Sequence, residues 1–491
     1  MFEQFKATLN SDNLIEDLRA GLIGDGIAIP GPFGVKKLVY ADYVASARAL
    51  KPIEDFVSNN ILPYYANSHT RSSYCGGYMT QMREEARAII AASMDAGEDY
   101  SVIFAGSGAT AAVNRLVKIL GVEDAVRAGM NPVVFIGPYE HHSNILPWRE
   151  TGAQIVTIPE AKDGGPDLAV LQRKLDMHKE CALKIGSFSA ASNVTGILTN
   201  VGEVTRLLKN NGALAIWDYA GGAPYLPVSV RPDNDIEIDA LVLSAHKYPG
   251  GPAASGILVV KNKLSTTNRP SWPGGGTVAY VSPWGHDYLK SLSAREEAGT
   301  PNIIGDIRAA LVFLVKDAVG SEFLAKRQAE LRQRALAIWG ACDRIKILGH
   351  PTAERLPIFS FQVLDASGNY IQEQMFTRML SDLYGIQARG GCACAGPYGH
   401  ELLGIDADQS AAMRHEIKHG NLLARSGWVR LNFSYLLSDE KANFIIESVT
   451  ELANSASNYV DDYVFDAATG SYLHHQELNP TNAIEGVVCR S

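Results

Sequence analysis

IDALVLSAHKYPGG, residues 238–251, joins an apolar run (Ala240–Leu243) to Ser244, Ala245, His246 and Lys247, and then stops on Pro-Gly-Gly. Such a run, with its polar groups gathered beyond one end, reads as a strand buried on both faces, as in a parallel sheet. A lysine at that end is an expensive placement, because desolvation disfavours its charged form. Lowering its pKa from about 10.4 makes the neutral amine available for Schiff-base chemistry. Taken singly, Lys247 reads equally as a snorkelling surface lysine.

The same pattern recurs upstream in SVIFAGSG (101–108), NPVVFIGP (131–138), KIGSFSAA (184–191) and ALAIWD (213–218), each run followed by a loop and a helical or polar stretch. Alternation of this kind predicts an α/β fold with a mostly parallel sheet and helices on both faces. Ligands in such sheets bind beyond the C-terminal strand ends. There lie Gly106, Ser107, Gly108, Ala109 and Thr110, which open a helix and form a candidate phosphate cradle without a dinucleotide or Walker pattern. Taken alone, the run is as readily a plain turn. Glu140, His141 and His142 follow the second strand; adjacent histidines on extended chain point apart, so one of them is expected to face the cleft, with a surface polar loop as the equal alternative. Asp218 ends a strand, where a cap or turn role is the alternative. An anion cradle, an amine and a carboxylate together suggest pyridoxal phosphate.

The chain has 491 residues, 46% hydrophobic and 20% charged, so two domains are expected. A net charge of −9 with scattered cations excludes a nucleic-acid footprint. Spaced apolar residues Phe2, Phe5, Leu9, Leu18 and Leu22 predict an N-terminal amphipathic helix rather than a signal peptide, and no run is long enough to span a bilayer. A cytoplasmic protein is expected. The six cysteines make no disulfide framework. Cys181 and Cys342 have apolar neighbours and read as buried; Cys392 and Cys394, in ARGGCACAGPYGH (388–400), do not. His474, His475 and Cys489 match no zinc spacing, and no metal site is expected.

The ordered set GSGAT, EHHSN, SNVTG, WDYA, SAHK, EEAGTPN and RGGCAC resembles the class V aminotransferase family of fold-type I pyridoxal-phosphate enzymes, and within it the cysteine desulfurase and selenocysteine lyase branch. The resemblance runs from about residue 40 to 449. It implies a large cofactor domain (46–305), a smaller α+β C-terminal domain (306–465) with residues 1–45 packing beside it, and a surface tail (466–491). It implies that Lys247 carries the cofactor, Asp218 pairs with the pyridine nitrogen, His141 stacks on the ring and Asn193 lies by the phenolic oxygen. Ala109, Thr110, Ser244 and His246 would hold the phosphate, with Thr300 reaching over from a second subunit of an obligate homodimer. Arg430 would take the substrate carboxylate. Arg389 opens the motif in which Cys394 falls at the nucleophile position.

The implied reaction converts L-cysteine to alanine and leaves a persulfide on Cys394, for a possible acceptor protein. The alternative is a class V aminotransferase, lyase or epimerase acting on another amino acid without a cysteine nucleophile. Two positions depart from the desulfurase pattern: Gly221 stands where a glutamine or histidine is usual, and Ala111 where an acid follows the cradle. Cys392 has no assigned role; a resolving thiol, a second sulfur carrier and a plain small residue all remain open.

Overall fold

The computed structural model describes residues 1–233 and 235–478. Their contacts form two units. The first comprises residues 1–23, 44–327 and 352–356, and the second comprises 24–43, 328–351 and the chain from Pro357 onward.

The first unit is built on seven strands: β1 (Tyr100–Gly106), β2 (Val133–Ile136), β3 (Gln154–Thr157), β4 (Lys184–Ser189), β5 (Leu214–Asp218), β6 (Ala240–Ser244) and β7 (Gly256–Lys261). Their order is β1-β7-β6-β5-β4-β2-β3. The five apolar runs of the sequence are all strands, and the pairs from β6 to β3 are parallel. β7 runs antiparallel to both its neighbours. Only residues 245–255 separate it from β6, too little for the helical crossover that a parallel return requires.

The register brings the polar strand ends level, with Ser189 opposite Asp218, Asp218 opposite Val242, and Gly256 opposite both Ser244 and Gly106. Strands β4, β6 and β7 are buried along their whole length, as strands covered on both faces are, with Ser187 and Ser189 among the buried residues of β4. The helix Gly108–Ile119 lays Ala109, Ala112, Val113, Leu116 and Val117 into the same core. Each large apolar side chain buried there contributes about 1.5–3 kcal/mol, so a charge at Val113 would detach the helix that carries the cradle.

The N-terminal segment is two short helices, Phe2–Thr8 and Leu14–Ala20, where the sequence predicts one; the turn-forming residues Asn10 to Asn13 interrupt it. Phe2 and Phe5 pack on Phe56, and this segment belongs to the first unit. The helix Ile303–Val319, apolar almost all round, is buried within that unit, so the first unit extends to Arg327 rather than ending near 305.

The second unit holds strands β8 (Ile345–Ile347), β9 (Ile358–Leu364), β10 (Arg389–Gly391) and β11 (Trp428–Asn432) in the antiparallel order β8-β9-β11-β10. Helices Glu373–Tyr384 and Asp439–Ser455 cover it around Phe359, Phe361, Phe376, Met379, Ile445 and Val449. Residues 396–427 contain helices Gly396–Leu403 and Ala407–Lys418, the second with no buried residue. Within the expected surface tail and just before it, the strands Tyr463–Asp466 and Ser471–His474 pair, and the buried His474 ring meets Phe33 and Tyr463 edge-on. Cys489 lies outside the described residues. Cys181 and Cys342 are half-buried rather than buried; Cys181 sits in a loop, its thiol turned to the Asn131 and Leu183 carbonyls.

Candidate active site

In the first unit the cradle lies flat against the neighbouring strand ends. The Ala109 N–H donates to Ser244 Oγ at 2.9 Å. Gly108 has φ +61°, and a Cβ there would stand 2.9 Å from both His246 Cε1 and Ser244 Oγ. Gly256, at the start of β7, is closer still: its Cβ would lie 2.2 Å from the Gly108 carbonyl oxygen. Only glycines allow this approach, which leaves the helix N-terminus facing the strand-end rim. Thr110 Oγ1 lies 2.6 Å from Ser143 Oγ, and the Ser143 N–H donates to His141 Nδ1 at 3.1 Å. Cradle and histidine are thereby linked through one serine.

Asp218 closes β5, buried, with its carboxylate accepting from the Ala220 N–H at 2.7 Å. Burial pushes its pKa up, and the Ala220 N–H and the Lys247 charge pull against that. A cation placed against this carboxylate would offset the burial penalty. Lys247 ends the turn Ala245–Lys247 directly after β6 and is half-buried. The His246 ring beside it is pushed down to about 4 by burial and then by the Lys247 charge. Asn193 is buried in the loop after β4, and a Cβ on Gly221 would touch its Cβ at 3.6 Å. Thr300 is exposed, on a segment anchored by Glu297, whose carboxylate accepts from the Phe104 N–H at 2.8 Å and binds Arg83 and Arg87.

Two residues here, the buried Glu140 and the half-buried Lys316, had no assigned role in the sequence. Glu140 lies directly before His141. Its Oε1 accepts from the Ser189 N–H at 2.9 Å, and its Oε2 from Ser189 Oγ at 2.7 Å and Asn144 Nδ2 at 2.5 Å. Asn144 Oδ1 in turn accepts from Ser187 Oγ and Trp148 Nε1. Burial pushes Glu140 up to about 7 against these hydrogen bonds, with the Asp218 charge adding to the rise. Lys316, on the helix Ile303–Val319, donates to the Ala223 carbonyl at 2.7 Å and to Leu226, fixing the turn after Asp218; burial pushes it down to about 8. The one sequence signal for Glu140 was an acid between a strand and a histidine. Lys316 gave none, since it lies on a distant helix.

In the second unit, β10 and β11 place Arg389 opposite Arg430. Asp42 joins them: its Oδ1 accepts from the buried Arg430 at 2.8 Å and its Oδ2 from Arg389 Nε at 2.9 Å. Two guanidiniums against one carboxylate leave a net positive charge. Burial pulls the Arg430 pKa down and the neighbouring Arg389 charge adds to the fall, while Asp42 holds it up. Cys392 and Cys394 are both exposed.

Residues 39–418 match the family model described as Aminotransferase class-V. Among curated proteins, the chain is 29% identical over 365 residues to the cysteine desulfurase of Escherichia coli O127:H6, covering 73% of this chain and 85% of that one. Among solved structures, the apo cysteine desulfurase of Thermococcus onnurineus NA1 superposes with a TM-score of 0.71 at 25% identity, over 85% of this chain and 94% of that one. The cysteine desulfurase CsdA of Escherichia coli shares the fold, with a TM-score of 0.68 at 20% identity over 89% and 98% of the two chains. With a family match that spans most of its length and a sheet that levels its lysine, aspartate and glycine cradle at one rim, the chain belongs to the class V aminotransferase family.

Proposed function

We propose that this chain is a pyridoxal-phosphate-dependent cysteine desulfurase that converts L-cysteine to L-alanine and holds the released sulfur as a persulfide on Cys394. The observation that carries the reading is the buried Arg430 guanidinium, which shares the Asp42 carboxylate with its strand partner Arg389, on the strand β10 that runs within three residues into the exposed thiol of Cys394. A carboxylate anchor and a sulfur nucleophile are thereby carried on one strand and the loop that follows it.

The donor set of the first unit fits the cofactor. The Gly108–Gly256 approach leaves backbone N–H groups and the Thr110, Ser244 and His246 side chains for a phosphate, and the buried Asp218 carboxylate suits a protonated ring nitrogen. When bound, the cofactor supplies the electron sink that makes the substrate Cα–H acidic. Lys247 would hold its aldehyde, and the Lys247 Nζ, as a neutral amine, would take the substrate Cα proton. His141 would stack on the ring and Asn193 would hold its oxygen, while Arg430 would take the substrate carboxylate. The Cys394 thiolate attacks the substrate sulfur: the carbon–sulfur bond breaks, carbon keeps the electron pair and gains a proton, and the new sulfur–sulfur bond stays on the enzyme.

The exposed Thr300, on its Glu297 anchor, supports a homodimer in which it reaches the phosphate bound by the other copy. The exposed cysteine loop suits delivery to a sulfur-acceptor protein, and the absence, among the described residues, of any helix fit to cross a membrane agrees with a cytoplasmic site of action.

The second reading, a class V enzyme acting on another amino acid, is favoured by Gly221, which offers no side chain where a cofactor-facing glutamine or histidine is usual. One assay decides between them. The protein is incubated with L-cysteine, and alanine and sulfide are measured, with Cys394→Ala in parallel. Alanine formation that is lost in Cys394→Ala supports the desulfurase; no alanine from the wild-type protein overturns it.

A further inference from the structure

We propose that Cys392 is a second sulfur carrier, which takes the terminal sulfur from Cys394 within a single turn of chain; the proposal rests on the desulfurase reading above. Strand β10 ends at Gly391, and the Ala395 N–H donates to the Cys392 carbonyl at 3.2 Å, closing a four-residue turn over Cys392–Ala395. Its central residues, Ala393 with φ 51° and Cys394 with φ 55°, are both left-handed. This is the φ pattern of a type I′ turn, which normally takes asparagine and glycine. Two side-chain-bearing residues hold such a backbone only where their surroundings fix it, a circumstance concentrated at functional sites.

Those surroundings are present on both flanks. Before the turn, Gly391 pairs with Trp428 in the sheet. After it, Ala395 is buried and its carbonyl accepts from the Gly399 N–H at 2.8 Å, starting the helix Gly396–Leu403. The turn therefore fixes where its two cysteines stand. Their Cα atoms are two peptide steps apart, at most about 7 Å, and the turn shortens this into the range over which two sulfurs bond. Both thiols are exposed.

The transfer balances without oxidant or reductant. The Cys392 thiolate attacks the terminal sulfur of the Cys394 persulfide. The bond from that sulfur to Cys394 Sγ breaks, its electron pair stays on Cys394 as the thiolate, and the terminal sulfur is now bonded to Cys392. The proton given up by Cys392 goes to Cys394 or to solvent. Cys394 is thereby emptied for the next substrate, while the cargo waits on its neighbour.

The test uses the holoenzyme given L-cysteine, quenched at intervals by alkylation and cut after arginine. Both thiols then lie in the fragment Gly390–Arg414, where peptide fragmentation locates the added sulfur. The expected result is sulfur first on Cys394 and later on Cys392, confinement to Cys394 in Cys392→Ala, and loss from both positions in Cys394→Ala. A second arm needs neither cofactor nor substrate: diamide treatment of the apoprotein is expected to remove two hydrogens from this fragment in the wild type and in neither variant.

Alanine with sulfur found only on Cys394 overturns the relay and leaves the desulfurase reading standing. Sulfur on Cys392 in Cys394→Ala, with alanine undiminished, makes Cys392 the direct nucleophile and overturns the relay. Failure of the diamide disulfide puts the sulfurs out of reach and overturns it as well. No alanine from the wild type removes the desulfurase reading and the relay together.

Discussion

The Asp42 carboxylate holds the buried Arg430 guanidinium at 2.8 Å across 388 residues of chain, and its second oxygen holds Arg389 at 2.9 Å. Arg430 depends on this partner, since a buried cation without one pays the full desolvation cost. Asp42→Asn is expected to lower unfolding free energy by about 3 kcal/mol, measured in urea. It should also raise KM for the amino-acid substrate more than it lowers kcat, because the anchor is misplaced while the proton-transfer residues of the first unit are untouched. An unchanged KM would show that Arg430 does not bind the substrate.

Glu140 gives the protein a pH dependence of definite sign. Its folded pKa is raised to about 7 from an ordinary 4.5, so the folded state keeps a proton that the unfolded chain releases. The resulting stability is fully present below about pH 4.5 and is lost as pH rises through about 7, at up to about 1.4 kcal/mol per pH unit. Glu140→Gln retains the shape and removes the titration. Its apoprotein should show a shallower fall in stability between pH 5 and 7; an identical slope would assign the effect to other groups.

The cradle glycines should separate cofactor binding from folding. Gly108→Ala meets side-chain atoms at 2.9 Å that can shift, and it pays a left-handed backbone cost of about 1 kcal/mol. The protein is expected to fold and to bind pyridoxal phosphate about tenfold more weakly, read from its visible absorbance on titration. Gly256→Ala meets a backbone oxygen at 2.2 Å, which has nowhere to go, and should cost the first unit about 3 kcal/mol or more.

Gly221 behaves oppositely. The nearest atoms to an added Cβ are at 3.5 and 3.6 Å, and its φ is not left-handed. Gly221→Ala should therefore raise stability by about 0.4–1 kcal/mol through the unfolded chain. A loss of stability would mean that the turn after Asp218 needs glycine for a reason that steric space does not reveal.

Lys247, Asp218 and the 106–110 run were legible in the sequence because parallel strands read as uninterrupted apolar runs whose polar residues fall at one end. β7 escaped notice, although GILVVK is as apolar as its neighbours, because nothing local in those six residues tells an antiparallel insertion from another parallel strand. Asp42 and Lys316 escaped for a different reason. Each acts on a group hundreds or tens of residues away, Arg430 for one and the Ala223 and Leu226 carbonyls for the other, and one-dimensional spacing carries no trace of such contacts. The strain at Ala393 and Cys394 was likewise hidden, because the local residue types argue against the backbone they adopt.

The second unit draws on a stretch near the beginning of the chain, 24–43, and on the last third of it. A ribosome adding about 5–20 residues per second needs roughly 20–80 s to pass from Asp42 to Arg430. All seven strands of the large sheet have been made by residue 261, so the rim that carries Lys247 is complete while Asp42 still waits for its guanidinium. In biosynthesis, the proposed anion anchor is therefore the last part of the proposed machinery to mature.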